Sequence, residues 1–284
     1  MLACLLEVTA AKPGNVTRYH DLPDLALTDF LASAVAIGPA MAAADQQAVG
    51  ATIVQAVRAT RRRVATNTNL GIILLLAPLA TAALRLTPPG ASLRQRVGVV
   101  LESLTVEDAQ QAYAAIRLAV PGGLGSVEQQ DVTTAPTVDL RAAMALAADR
   151  DSIAREYVTG FATTFEVGYP ALLRHLEQGP VQEATVGAYL TLLAHTRDTL
   201  IVRRHGSECA EEVRRRAEDA LRAGGLHTPQ GREAIANLDR WLRTARPRLN
   251  PGTTADLVTA ALFVALLHDQ VPLAQSAPPQ DMLP

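Results

Sequence analysis

The chain is almost without lysine. Of 26 basic residues only Lys12 carries an ammonium, and all the others are arginine. Cysteine is nearly absent too. Cys4 and Cys209 form no CxxC pair and have no metal-ligand spacing, which excludes a zinc cage or a disulfide scaffold and predicts two buried thiols in a reducing cytoplasm. Aromatic residues make up 4% of the chain, and short alternating apolar–polar runs are scarce, which argues against a β-protein. Charge of one sign is missing, since the formal net charge is −2, so no strong field points to nucleic acid or to anionic lipid. No apolar run is long enough for a membrane. The longest, Leu70 to Leu84, falls short of the roughly 18 residues a spanning helix needs and contains Pro78 and Thr81. The opening MLACLLEVTAAKPG has no basic segment and already carries Glu7, so it does not read as a signal peptide, and a soluble cytoplasmic protein is expected. No Walker lysine, dinucleotide fingerprint or Ser-His-Asp order is present.

What remains is rich in Ala and Leu. Of 284 residues 49% are hydrophobic, enough to bury a large core. Helical periodicity runs through nearly every segment. Residues 2–10 place Leu2, Leu5 and Leu6 on one face before Lys12-Pro13-Gly14 ends the helix. Two helices broken near Gly38-Pro39 follow from Thr28, then the apolar helix 70–84, then a helix opened by a Thr105/Asp108 capping box. Residues 138–177 read as two helices joined near Gly160, and further helices fit 181–204, 208–223, 230–244 and 254–268. The expected fold is all-α: one globular domain over 1–270, about ten helices around the central apolar helix 70–84, with 271–284 a frayed tail.

In so apolar a chain the informative residues are polar clusters at helix ends, and there are five. In AAKPGNVTRYHD, Gly14 permits close backbone approach, Asn15 offers donor and acceptor, and Lys12 is a compact charge suited to a phosphate. His20 and Asp21 beside it are candidate proton acceptors, although the stretch also reads as an ordinary turn. Thr66, Asn67, Thr68 and Asn69 precede the apolar helix. One N-cap needs one such residue, and four in a row suit an anion or a ribose hydroxyl. PGGLGSVEQQDV offers Gly122 and Gly123 for a phosphate loop and Asp131 as a magnesium ligand or a solvated acid. In HTRDTLIVRRHG, Asp198 shares a helix face with His195 and Thr199, and Arg203 can clamp a phosphate or complement a helix end. In NPGTTADL, Thr253, Thr254 and Asp256 read first as a capping box, and Asp151 with Arg155 upstream as a helix ion pair. All five clusters are expected to converge on one cleft at the start of the helix 70–84.

Taken in order, EVTAAKPGNVTRYHD, TNTNLG, PGGLG…QQDV, RDSIAREYVTGF, DTLIVRRHG and NPGTTADL resemble the triphosphoribosyl-dephospho-CoA synthase family over roughly residues 3–268. The resemblance implies an all-helical pentosyltransferase. The 2′-hydroxyl of dephospho-CoA attacks C1 of the ATP ribose and adenine leaves. It further implies phosphates at Lys12, Arg203 and the helix start at Thr253, and ribose or base at Asn67 and Asn69. Magnesium is expected at Asp131 and Asp198, and the base at His20 or Asp21. In relatives the first helix is longer than the one Met1 opens here. Citrate-lyase-associated members tend to read Asn-Thr-His-Lys-Gly where this chain has Asn67-Thr68-Asn69-Leu70-Gly71, and Asp-Thr-Asn where it has Asp198-Thr199-Leu200. This marks a divergent branch and leaves two alternatives open: another acceptor, such as a methanopterin-type precursor, or a helical protein that binds nucleotide without catalysis. A homodimer is allowed.

Overall fold

Side chains of Ser92, Thr105, Asp139, Asp151, Asp198 and Thr228 accept backbone N–H bonds at helix starts, and Gly160 and Gly206 stand at helix ends. The computed structural model describes residues 1–85, 89–121 and 129–272. The first half holds α1 (Leu2–Thr9), α2 (Leu27–Ala36), α3 (Gly38–Ala42), α4 (Val49–Arg61), α5 (Leu70–Leu84), α6 (Leu93–Glu102) and α7 (Val106–Ala119). After it come α8 (Leu140–Ala145), α9 (Ser152–Thr159), a π-helical turn Thr163–Gly168 and α10 (Tyr169–Leu176). The last third holds α11 (Val181–His195), α12 (Thr199–His205), α13 (Ser207–Arg222), α14 (Pro229–Thr244) and α15 (Gly252–Leu267). Among the described residues there is no strand, only the isolated bridges Thr17–His20 and Leu22–Leu25. The fold is all-α, as expected.

The helix count exceeds ten because single polar residues split what periodicity reads as continuous. Asp139, Asp151 and Asp198 each accept backbone N–H bonds and open α8, α9 and α12. The segment from Thr28 yields three helices rather than two, and α6, begun by a Ser92/Gln95 capping box, was not expected. The face of α1 is also different. Leu2, Leu5 and Leu6 point partly outward, and Ala3, Cys4, Glu7 and Val8 are buried. Cys4 is buried as expected, and burial pushes its thiol up to about 12, whereas Cys209 is only half-buried.

Helix α5 is buried from Ile72 through Ala82 and packs on α4, α6 and α15. It is not the lone centre, because α15 and α11 are also buried over most of their length and pack on each other. Each buried Leu or Ile contributes about 1.5–3 kcal/mol relative to exposure. Pro78 lies inside α5, where it leaves the carbonyl of Leu74 without its helical donor. The buried hydroxyl of Tyr157 on α9 donates to that carbonyl at 2.6 Å, so the helix runs on without an orphaned acceptor. The tail expected from 271 lies, beyond Pro272, outside the described residues.

Candidate active site

The first turns of α5 and α15 come together so closely that a Cβ on Gly71 would sit 2.0 Å from Oδ2 of Asp256. Beside this contact opens a cavity of about 730 Å3. Every one of the five polar clusters sends at least one side chain to its wall: Asn15, the run Thr66–Asn69, Asp131, Arg203 and Thr253. Lys12, Gly14, His20, Asp21, Asp198 and Thr254 do not reach it. Gly122 and Gly123 lie outside the described residues.

The corrections have physical reasons. Lys12 is fully buried, not at a rim. Its ammonium lies 3.0 Å from a carboxylate oxygen of Glu7 and also donates to the carbonyls of Glu7 and, at 3.4 Å, Ala10. Burial draws the ammonium down from its ordinary value and pushes Glu7 up, each against the attraction of the other. Glu7 reaches the cavity wall, so the lone lysine neutralises a wall carboxylate from behind. Gly14, at φ +79°, donates its N–H to Asp239 at 2.8 Å and leaves no room for a Cβ, which would meet Leu242 at 2.9 Å. His20 and Asp21 are exposed. The first closes a bridge with Thr17, and the second accepts from the N–H of Leu27 at 2.7 Å where α2 begins, so the loop carries both away from the cavity.

Asp198 is the sharpest correction. One carboxylate oxygen accepts from the N–H groups of Leu200 (3.0 Å) and Ile201 (3.1 Å), the other from the N–H and hydroxyl of Thr254 (both 2.8 Å). It caps α12 and holds the start of α15 at once, which leaves no lone pair for a metal. Burial raises its pKa against the bonds from Thr254 and Ile201 and the charge of Arg203. Thr199 extends the seam, donating to Thr253 at 3.3 Å and accepting from the N–H of Ser152 at 3.3 Å. Asp151 does not pair with Arg155. It caps α9 through Ile153 and Ala154 and forms an ion pair with Arg203, whose Nε is buried without a partner among the described residues.

The TNTN run divides its labour. Asn67 caps α5 through the N–H of Leu70 (3.1 Å), Thr68 bonds Ser33 of α2 (2.5 Å), and Asn69 donates to Thr60 of α4 (3.2 Å). The hydroxyl of Thr66 is buried and has no partner among the described residues. Asn15 donates to Asn250 at 2.6 Å, and its own carbonyl oxygen has no partner among the described residues. Asp131 is half-buried and accepts from the N–H and hydroxyl of Thr133 at 2.9 and 2.6 Å. Beyond it the wall turns apolar, through Tyr113, Ile116, Met144 and Ala147.

The residue that sequence reading passed over is Asp256. It does not form a capping box, since α15 starts at Gly252 and Asp256 lies a turn further on, facing the cavity. Its carboxylate has no hydrogen bond or ion pair among the described residues. Burial first, then the charges of Glu7, Asp198 and Asp151, hold its pKa well above the carboxylate range, opposed by Arg203. The visible signal was Gly71, a glycine in the first turn of an apolar helix, where only a close approach explains the missing side chain.

The comparisons with known proteins agree with this architecture. The family model for CitG, ATP:dephospho-CoA triphosphoribosyl transferase, matches residues 1–274. Two relatives carry the name probable 2-(5''-triphosphoribosyl)-3'-dephosphocoenzyme-A synthase. One, from Pseudomonas fluorescens, is 33% identical over 37% of this chain and 36% of its own. Another, from Pseudomonas syringae pv. syringae, is 28% identical over 60% and 58%. The chain thus matches from about a third to nearly three fifths of the length of these relatives. A crystal structure of a candidate triphosphoribosyl-dephospho-CoA synthase from Archaeoglobus fulgidus superposes with a TM-score of 0.64 at 27% identity, covering 84% of this chain and 98% of that one. The chain belongs to the ATP:dephospho-CoA triphosphoribosyl transferase family.

Proposed function

We propose that the protein moves the triphosphoribosyl group of ATP to the 2′-hydroxyl of 3′-dephospho-CoA and releases adenine. The observation that carries this reading is Asp256: an unpartnered carboxylate in a cavity walled by guanidinium groups, where a family of ribosyl transferases has its match. The new bond forms between the 2′-oxygen and C1 of the ATP ribose, and the bond from C1 to the adenine nitrogen breaks. Asp256 accepts the hydroxyl proton as that oxygen attacks. Its raised proton affinity suits a base that must take a proton from an alcohol and then deliver it to departing adenine. Asn15 and Asn67 supply amide groups at the wall for ribose hydroxyls or the base. Arg203 and the first turn of α15 at Thr253 hold phosphate oxygens.

Among the described residues no three Asp, Glu, His or Cys side chains form a metal cage. That donor set fits a magnesium ion carried in with the triphosphate, which keeps phosphate and water ligands and takes one or two carboxylates. Asp131 is the wall carboxylate that would hold it. Bound there, the ion would neutralise triphosphate charge. One observation favours a different acceptor as the second reading: Leu70 stands in the wall where a lysine is common in citrate-lyase-associated members. The test is incubation with ATP, magnesium and dephospho-CoA, followed by chromatography for free adenine. Adenine release that depends on dephospho-CoA supports the first reading. Release only with another acceptor supports the second, and ATP binding without release refutes both.

A further inference from the structure

The cavity has a second cationic wall that the chemistry above does not use. At the end of α4, Arg58, Arg61, Arg62 and Arg63 put four guanidinium groups within six residues. Among the described residues none of them lies within ion-pair distance of a carboxylate. The arginine-rich helix α13 is arranged differently. On α13, Arg214, Arg215, Arg216 and Arg222 are all paired with Glu or Asp of the same helix. Arg61 lines the cavity, and its guanidinium folds over the following turn to donate to the carbonyl of Ala65. Beside it is the buried hydroxyl of Thr66, with no partner among the described residues.

The position of this wall is fixed by packing. Helix α5 packs on α4 on one flank and on α15 on another. Asn69 ties the start of α5 to Thr60, the residue before Arg61, whereas Gly71 presses on Asp256 of α15. Arg203 on α12 and its partner Asp151 at the start of α9 belong to the α15 flank, since both helices pack on α15. The two arginine walls therefore stand on different neighbours of α5. Asp256 and the start of α5 lie between them.

We propose that the α4 wall, with Arg61 as its cavity residue, binds the diphosphate of the acceptor, while the Arg203 wall binds the triphosphate of ATP. Both substrates of the proposed transfer are nucleotides with phosphates on the ribose 5′-oxygen. If both chains bound one wall, the like charges would repel and the ribose rings would lie side by side. With one chain on each wall, the riboses meet between the walls, where Asp256 can reach an acceptor hydroxyl. The triphosphate carries more charge and takes the side with Arg203, Arg204 and the first turn of α15. The diphosphate takes the α4 side, whose exposed Arg62 and Arg63 also draw anions toward the opening.

This inference rests on the proposed function, and titration calorimetry separates the two. ATP and dephospho-CoA are each titrated into the wild type, R61Q, R62Q/R63Q and R203Q, with melting curves to confirm that each variant is folded. Inorganic pyrophosphate is then titrated into the ATP-saturated proteins. The expected result is dephospho-CoA binding about tenfold weaker in R61Q and about threefold weaker in R62Q/R63Q, with ATP affinity held within twofold. R203Q should weaken ATP and spare dephospho-CoA. Pyrophosphate should bind ATP-saturated wild type and not ATP-saturated R61Q. If R61Q weakens ATP as much as R203Q does, or if ATP-saturated wild type takes up neither pyrophosphate nor dephospho-CoA, the two-wall assignment is wrong while the transferase reading stands. If wild type binds no ATP, both fall.

Discussion

Replacing Lys12 by methionine removes the ammonium and keeps most of the side-chain volume. In a fully buried site this leaves the carboxylate of Glu7 without the only cation paired with it among the described residues. Breaking a buried pair from one side costs about 3–5 kcal/mol, most of it the stranded charge rather than the lost attraction. In a chain of this size about 2–4 °C of melting temperature goes with each kcal/mol, so the variant should melt about 6–20 °C below wild type at neutral pH. The deficit should depend on pH. With Lys12 gone, burial alone acts on Glu7, and its folded-state pKa lies further above the unfolded value of 4.5. Between those two values the folded protein holds a proton that the unfolded chain has released, so stability falls as pH rises through that window. Lowering the pH toward 4.5 therefore recovers part of the loss. The double variant Glu7→Gln with Lys12→Met, which strands no charge, should recover more. Urea unfolding at a series of pH values measures all three proteins. A Lys12→Met protein with wild-type stability and weakened ATP binding would refute the buried-pair reasoning and restore lysine to the phosphate.

Asp256→Asn should slow adenine release by about 10²–10⁴-fold. Its melting temperature should hold or rise, because a half-buried carboxylate without a partner among the described residues is removed; the control His20→Ala should release adenine at the wild-type rate. The wild-type rate should also rise with pH through the raised pKa of Asp256, since only the deprotonated form accepts a proton. Gly71→Ala places a methyl 2.0 Å from Oδ2 of Asp256, so it should cost about 1–3 kcal/mol and most of the activity, read by urea unfolding and adenine release together. Asp198→Ala removes caps from α12 and from the start of α15, each worth about 0.5–2 kcal/mol, and should lower stability without changing the magnesium dependence of the reaction. A changed magnesium requirement would return Asp198 to the metal.

The fold was legible because its signals are local. Helical period, the Thr105/Asp108 box and the break at Gly160 each depend on a few neighbouring residues, and the structure keeps all three. The site was legible only as a set of places. Each of the five polar clusters does touch the cavity, but Lys12, His20, Asp21 and Asp198, singled out within them, do not reach it. A carboxylate in a helix-start motif can cap its own helix, clamp another or face a ligand, and the sequence is the same in all three cases. Asp198 caps α12 and is surrounded by four donors, whereas Asp256, one turn inside α15, has none among the described residues. What decides is the partner across the gap. Thr254 arrives from 56 positions away to occupy Asp198, whereas Gly71 offers Asp256 no side chain at all. Lys12 shows the same limit. Its rarity marked it as special, but rarity is equally compatible with a phosphate contact and with a buried counter-charge. The local sequence did hold one discriminating sign, because Glu7 is an acid on the buried face of an otherwise apolar helix and needs a cation within reach. An acid that a helix buries, or a glycine that a helix keeps against its own propensity, points to a specific neighbour. In this chain those two residues, Glu7 and Gly71, both lead to the wall where Asp256 stands.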